Sequence, residues 1–206
     1  MMNNIVLKGL LRNVEFSHKI GDIEFYRANL VVKRNDGHED VISVKCKKYI
    51  VADGEQDKQV ELKGNIRSYT HKDGDKNKVD IYVFTYFDKP DEVELDMEDA
   101  HFNINNYFTV DGRICKKSEM RIVDKSKETI HFILANTIVN KDKVLNNYLP
   151  CIAWGTMAKK INEMPVGKEI AIKGEIHSRE YKKILDNGEI EIRVAHELLV
   201  KEIYEL

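Results

Sequence analysis

Apolar and polar residues alternate with a period of two along much of this 206-residue chain. Such alternation is typical of β-strands with one buried face, and it is clearest in residues 41–46 and 60–66. Asp-Gly or Asn-Gly pairs at 36–37, 73–74 and 187–188 mark turns between strands. The pattern predicts ten strands: Ile5–Arg12, Ile23–Arg34, Glu39–Lys47, Gln59–Tyr69, Lys78–Phe87, Tyr107–Lys116, Thr129–Asn140, Asn147–Gly155, Lys168–Tyr181 and Glu189–Leu199.

One segment has the longer period of a helix. Residues 156–164 place Met157, Ile161 and Met164 on one face, with Thr156 as the predicted N-cap. Pro165 and Gly167 follow and end the helix. The corresponding stretch of the first half, residues 49–57, is shorter, so no full helix is predicted there.

The two halves of the chain resemble each other. Residues 3–9 have a counterpart in 105–112, and residues 60–69 have one in 170–181. At this length the repeat indicates two copies of one domain. Pro90 and an acidic run mark the joint, so we predict a first domain at 1–90, a linker at 91–103 and a second domain at 104–206.

The charge distribution follows the same division. The net charge of −2 is the sum of +2 for residues 1–90, −6 for 91–101 and +2 for 102–206. An acidic run of this kind is usually a solvated linker, although it could also compete with nucleic acid for a basic groove.

Composition excludes several classes of protein. With 42% hydrophobic and 33% charged residues the chain can build a core, and it has no apolar run long enough to cross a membrane. Three widely spaced cysteines predict reduced thiols and a cytoplasmic protein, and the seven scattered histidines give no metal-ligand spacing. No catalytic motif is present, so we expect neither an enzyme nor a cofactor.

Five strands with a helix between the third and fourth form the layout of an OB-fold, a small Greek-key barrel. The predicted fold class is therefore all-β with a short helix, as two tandem five-stranded OB-fold barrels. The stretch 147–154, Asn-Tyr-Leu-Pro-Cys-Ile-Ala-Trp, is apolar on both faces and holds the single tryptophan of the chain. A strand of this kind needs a use for its second apolar face.

The second half resembles the bacterial single-stranded DNA-binding protein (SSB) family along nearly its whole length. The resemblance lies in the order and spacing of residues 106–114, 129–136, 149–159 and 167–181. The first half resembles the same family more weakly, through residues 4–9, 24–32 and 60–69. The resemblance implies single-stranded DNA binding with little sequence preference, in support of replication, recombination or repair.

The resemblance also implies which residues bind. Leu149, Cys151 and Ala153 face the barrel interior, and Tyr148, Pro150, Ile152 and Trp154 face outward. Tyr148, Trp154 and Tyr181 fall where the family places aromatic rings that stack on bases, and Arg179 matches a basic residue of the family. A stacked base contributes ~1–3 kcal/mol whatever its identity. The alternative is that these rings cover a subunit interface or pack under a loop.

The first half departs from this pattern. If Ile42, Val44 and Cys46 face inward, Val41, Ser43, Lys45 and Lys47 face outward, and none of these is aromatic. Tyr69 with Arg67 is the expected counterpart of Tyr181 with Arg179, with the register off by two. Three roles stay open for this half: binding through charge (Lys45, Lys47, Lys48, Arg67), weak binding, or assembly. Tyr26 and Tyr49 are expected to serve in packing.

The family's assembly sets the expected partners. Its members form tetramers of single OB-folds, so two copies per chain imply a homodimer with four OB-folds. The family also usually ends in a disordered, acidic tail that recruits replication and repair proteins. This chain ends at Leu206, close to the last predicted strand, so we expect no such tail. Three other OB-fold functions remain open: a primosome-type accessory protein, a protein-binding assembly module, and an oligosaccharide-binding module.

Overall fold

The computed structural model describes residues 2–47, 58–74, 76–85, 105–123, 127–140, 143–185 and 187–206. Within these ranges the chain forms strands and one short helix. The strands of the first half are β1 Asn3–Ile20, β2 Ile23–Lys33, β3 Glu39–Lys47, β4 Lys58–Asp73 and β5 Lys76–Thr85. Those of the second half are β6 Asn106–Lys117, β7 Arg121–Val123, β8 Lys127–Asn140, β9 Lys143–Trp154, β10 Glu169–Ile184 and β11 Ile190–Glu205, with the helix α1 Gly155–Glu163 after β9.

Each half closes into a five-stranded barrel. The strands pair in the order β1-β2-β3-β5-β4 and back to β1, and in the order β6-β8-β9-β11-β10 and back to β6. The parallel contacts are short: β3 meets β5 at Val44–Val83, and β9 meets β11 over Cys151–Ala153. Closure satisfies the edge strands of each barrel. The predicted fold class, all-β with two tandem OB-folds, is confirmed. We call these two barrels the first and second domains.

The predicted inward faces are confirmed. Leu149, Cys151 and Ala153 are buried in the second barrel, and their counterparts Ile42, Val44 and Cys46 are buried in the first. Alternation places one face of each strand inside, so a single pattern fixes which side chains form the core. In α1, Ile161 and Ala158 are buried, with Met157 and Met164 packed against them.

The structure corrects several local predictions. The helix begins at Gly155 with Trp154 at the N-cap position and has no side-chain cap, so Thr156 is not the N-cap. The short strand β7 was not predicted. The strands also extend beyond their predicted ends, most of all β1, β4, β9 and β11. The added ends of β1, β4 and β9 form two-stranded arms with β2, β5 and β8, whereas the added residues of β11 pair with the barrel part of β10. The predicted linker 91–103 and residues 49–57 lie outside the described residues, and the predicted domain limits remain a prediction.

Four glycines occupy equivalent positions in the two domains, where a larger residue would clash. Gly9 and Gly64 in the first domain correspond to Gly112 and Gly174 in the second. A Cβ at any of these positions would collide with a backbone carbonyl oxygen of the neighbouring strand. The barrels therefore need a residue without a side chain where one strand crosses close over the next.

The two barrels share one continuous sheet of eleven strands. Strands β1 and β6 pair antiparallel from Asn3–Val110 to Leu7–Asn106 and link the domains. The junction is approximately symmetric: the Asn3 side chain bonds both backbone groups of Ile66, and the Asn106 side chain bonds both backbone groups of Ile176. The two asparagines are 103 residues apart and hold equivalent strands, β4 and β10.

Candidate nucleic-acid interface

The outer face of the second domain carries two of the predicted aromatic residues. Tyr148 and Trp154 lie at the two ends of the barrel part of β9 and are 46% and 38% exposed. Pro150 lies between them, partly exposed, whereas Ile152 is buried between His131 of β8 and Leu199 of β11. The outward apolar face of β9 is thus interrupted by one residue that packs against its neighbours.

The other two predicted residues of this domain lie on β10, where they have protein partners. Arg179 is exposed, with its Nε 3.4 Å from a Glu197 carboxylate oxygen. Tyr181 is partly buried against the first domain, with the Lys78 amine 5.4 Å from its ring centroid. Among the described residues, the Tyr181 ring contacts the first domain and makes no ring contact with Trp154.

The first domain carries a groove that the sequence prediction missed in part. Lys45 on β3 faces outward as predicted, and its amine lies 4.0 Å from the Tyr82 ring centroid and 5.6 Å from that of Tyr69. Arg67 on β4 lies over the ring of Phe84, with its guanidinium carbon 4.3 Å from the centroid. We call these five residues, Lys45, Arg67, Tyr69, Tyr82 and Phe84, the first-domain groove.

Further aromatic rings extend the groove toward the β1–β2 hairpin. The Phe25 ring lies 6.2 Å from Phe84, and the His18 ring stacks on Phe25 at 4.9 Å with an angle of 8° between planes. Lys47 is paired across the strands with Phe25. Phe25, Tyr82, Phe84 and His18 were not predicted as site residues. The signal was present in β5, where outward Tyr82 and Phe84 alternate with inward Ile81 and Val83.

The equivalence of the two domains accounts for the offset of two residues in the predicted match of Tyr69. Because Ser68 and Ser178 make matching contacts across the domain junction, Tyr69 corresponds to Arg179, and His71 corresponds to Tyr181. Lys47 corresponds to Trp154 by the same strand alignment. The two domains therefore display aromatic rings on the same outer face but on different strands. Tyr26, expected to pack, is partly buried against the core.

The cations of the first-domain groove are partly buried and, in the described part of the chain, have no acidic partner. Burial lowers the pKa of Lys45, and the charge of Arg27 lowers it further. Burial likewise lowers the pKa of Arg67. Among the described residues, neither forms a salt bridge with a carboxylate, and Arg67 Nε has no hydrogen-bond partner. Unpaired cations held on aromatic faces suit an anionic chain that carries flat rings.

Two connected depressions lie on this face. One, of about 280 Å³, is lined by His18, Phe25, Arg67 and Phe84 among others, and shares Lys45 and Tyr82 with the second. The second, of about 490 Å³, continues to Asn29 and Ser43 and is closed by Val194 and His196 of the second domain. In OB-folds the face of the second and third strands, between the 1–2 and 4–5 loops, binds nucleic acid. The depressions occupy that position in the first domain.

The domains are clamped together beside these depressions. The Ser178 amide donates to buried Asp40, and the Val41 amide donates to the Ser178 hydroxyl. In the equivalent contact, the Ser68 amide donates to Asn147, and the Tyr148 amide donates to the Ser68 hydroxyl. Each outer face thus lies directly against the other domain.

Other chemistry is not evident in the described residues. They contain no cluster of histidine, cysteine and acidic side chains that could hold a metal ion, and no helix long and apolar enough to cross a bilayer. Burial raises the pKa of Cys46 to about 12 and raises that of Cys151 as well. These two thiols are therefore unreactive at neutral pH.

This arrangement defines the chain as a tandem OB-fold protein with an aromatic and basic outer face. Residues 105–204 match the model of the single-strand binding protein family. The second domain therefore belongs to this family, as the resemblance predicted. No curated protein sequence matches the chain.

Solved structures agree with the fold along the whole chain. Wild-type single-stranded DNA binding protein from Thermus aquaticus superposes with a TM-score of 0.70 at 17% identity, covering 100% of this chain and 93% of that one. A deletion variant of the same protein superposes with a TM-score of 0.71 at 15% identity, and the match covers 100% of this chain and 94% of that one. At this identity the likeness shows the fold. Protein PriB from Ralstonia solanacearum covers 48% of this chain with a TM-score of 0.38, too low to support an argument.

Proposed function

We propose that this chain binds single-stranded DNA through the outer faces of both domains, with the first-domain groove as a full stacking site. Single-strand binding is the function of its family, which acts in DNA replication, recombination and repair. The observation that carries the residue assignment is the placement of Lys45 over Tyr82 and Arg67 over Phe84 without acidic partners in the described chain.

Each part of the groove suits one part of the ligand. Bases stack on the rings of Tyr82, Phe84 and Tyr69 in the first domain, and on Tyr148 and Trp154 in the second. The charges of Lys45, Lys47 and Arg67 meet the phosphates and release counterions. Because every base has an aromatic face, stacking of this kind tolerates most sequences. Arg179 and Tyr181 contribute from the edge of β10, where Glu197 and Lys78 already contact them.

Trp154, the single tryptophan, gives a direct test. Its fluorescence is measured during titration with oligo-dT at low and high salt. Saturable quenching that weakens with added salt is the expected result. An unchanged signal together with no binding by anisotropy at micromolar concentrations would contradict the proposed function.

A variant pair tests the basic residues of the first domain. Lys45→Gln with Arg67→Gln should reduce the slope of log affinity against log salt by about 1.4, because each phosphate contact on a single strand contributes about 0.7. The matched control is Arg113→Gln with Lys168→Gln, two cations already paired with Glu169 and Glu205. Equal slopes for both double variants would remove the first-domain groove from the proposal.

We also propose a homodimer that brings four OB-folds together, and a non-enzymatic, cytoplasmic role beside replication or recombination proteins. The family supports the binding role. Light scattering of the purified chain should give about twice its mass of 24.0 kDa. A monomeric mass at micromolar concentration would contradict the dimer without affecting single-strand binding.

A further inference from the structure

The larger of the two depressions has a composition that stacking and phosphate binding do not explain. We call it the interdomain cleft. It lies between the first domain and β11 of the second, with a volume of about 490 Å³. Tyr69 and Tyr82 form one wall, and Val194 and His196 close the opposite side. Most of the remaining lining is polar or charged, with Asn13, Asn29, Ser43, Glu15, Arg27, Lys45 and Asp80 alongside the apolar Val44 and Ile81.

The charges of the interdomain cleft do not suit a phosphate. Glu15 lies 3.8 Å from Arg27, and Asp80 lies 3.1 Å from Lys78. The lining thus holds two acids, Glu15 and Asp80, against two cations, Arg27 and Lys45, and has no excess positive charge for a phosphate. A neutral group with an aromatic face and a hydrogen-bonding edge fits better, and a nucleobase has both.

The polar end of the cleft carries side chains that can hydrogen-bond to the polar edge of a base. Asn29 on β2 and Ser43 on β3 are cross-strand neighbours on the outward face. Among the described residues their side chains, and that of Asn13, have no hydrogen-bond partner. An amide both donates and accepts, so a neighbouring amide and hydroxyl can match one arrangement of base donors and acceptors better than another.

The position of Asn13 adds independent support. It lies in an irregular stretch of β1, where the pairing with β2 shifts between Arg12 and Glu15. Its φ of 52° is the one positive value found for a residue other than glycine in the described chain. Bulges of this kind re-aim a side chain and are frequent beside functional sites. Here the shift places Asn13 in the cleft wall.

We propose that the interdomain cleft accepts one base of the bound strand and that Asn13, Asn29 and Ser43 discriminate among bases at that position. This inference rests on the proposed single-strand binding and adds to it a base preference. The ring of the base lies against Tyr69 and Tyr82 while its polar edge meets the amides and the hydroxyl. Both domains contribute to the site, so it exists only in the tandem chain.

The test compares homopolymers of one length, oligo-dA, oligo-dC and oligo-dT, by fluorescence anisotropy at one salt concentration. Wild-type protein should bind one homopolymer about tenfold tighter than another, the discrimination typical of well-placed hydrogen bonds to a base. Asn29→Ala with Ser43→Ala should reduce this ratio to about twofold or less. The control, Thr137→Ala with Asn146→Ala, removes a hydroxyl–amide pair with a 3.0 Å hydrogen bond on the β8–β9 hairpin and should leave the ratio unchanged.

A second variant separates base reading from a loss of folding. Asn29→Asp removes the donors of the amide and keeps the acceptors, so it should change which homopolymer binds best. A structural lesion would weaken all homopolymers together. Equal affinities for wild type, or a ratio that persists in the Asn29→Ala, Ser43→Ala variant, would overturn the base-reading cleft while leaving single-strand binding intact. Absence of salt-dependent binding to every homopolymer would instead contradict the proposed function itself.

Discussion

At the scale of single residues, the two domains use the same outer face with different side chains. Tyr148 and Trp154 could be predicted from the sequence because they alternate with buried residues on one strand. The cations of the first domain could be predicted too, as outward positions on β3 and β4. Their contact with Tyr82 and Phe84 could not, because those rings stand on β5, and which strands adjoin depends on barrel closure.

Removing a ring of the first-domain groove should weaken DNA binding. Tyr82→Ala is expected to cost ~1–3 kcal/mol, about 5- to 150-fold in affinity for oligo-dT, because one stacking surface is lost. The matched control is Tyr204→Ala, which removes a ring that is 45% exposed, lies 5.1 Å from the Lys173 amine and is outside the groove. Affinities measured by anisotropy should separate the two variants, and equal losses would argue against stacking on Tyr82.

A half-buried histidine at the domain junction, His196, predicts a pH effect on stability. Burial lowers the pKa of His196, although its hydrogen bond to the Val41 carbonyl and the charges of Asp80 and Asp40 oppose the shift. Between the folded pKa and the unfolded value of about 6.5 the unfolded state binds more protons. Stability should therefore fall as pH decreases below about 6.5 and level off below the folded pKa. Thermal melting of His196→Gln should show a smaller fall over this range than wild type, and identical profiles would exclude His196 as the cause.

At the scale of elements, alternation identified the ten barrel strands but not their full lengths. The arms of β4–β5 and β10–β11 extend past the cores, where most side chains are exposed or half-buried and no core face determines where a strand ends. The end of α1 likewise could not be predicted from neighbouring residues. The Lys117 amine, distant in sequence, donates to the carbonyls of Ile161, Asn162 and Met164, at 3.2, 2.7 and 2.5 Å. Such tertiary capping satisfies the last turn of α1 but leaves no local motif.

The crossing glycines should be intolerant of even one methyl group. Gly64→Ala and Gly174→Ala each place a Cβ against a backbone carbonyl, of Phe84 and Leu199 respectively. The strands must move apart, with an expected loss of about 1–3 kcal/mol in the free energy of unfolding. Urea unfolding gives the measurement, and Lys173→Ala, beside Gly174 with its side chain partly exposed, is the control. Wild-type stability in both glycine variants would contradict the close approach.

At the scale of the whole molecule, the repeat was visible in the sequence but the junction was not. Residues 3–9 and 105–112 were recognised as equivalent, yet nothing in either segment shows that β1 and β6 pair with each other. The reciprocal clamps of Ser68 and Ser178 depend on residues 79 and 138 positions away. Contacts of such separation leave no local pattern, so they had to come from the structure.

The clamp at Asp40 should contribute measurably to stability. Asp40 is buried, accepts two hydrogen bonds from Arg34 at 2.7 and 2.6 Å, and accepts the Ser178 amide at 2.5 Å. Asp40→Ala leaves these donors unpaired and should cost about 2–4 kcal/mol. Asp40→Asn, which matches Asn147 in the equivalent clamp, keeps the acceptor for Ser178 and should cost about half as much. Denaturant melts would refute this ranking if the asparagine variant were the less stable.

The pairing of β1 with β6 has a consequence for how the protein responds to dilution. In an assembly of separate OB-folds, two barrels meet with a probability that depends on protein concentration. Here both barrels belong to one chain, and the partner strand is always present at a high effective concentration. The pair of outer faces, and the cleft between them, therefore persists at concentrations where a dimer held by the same strand contacts would fall apart. A cell could rely on it at very low copy number.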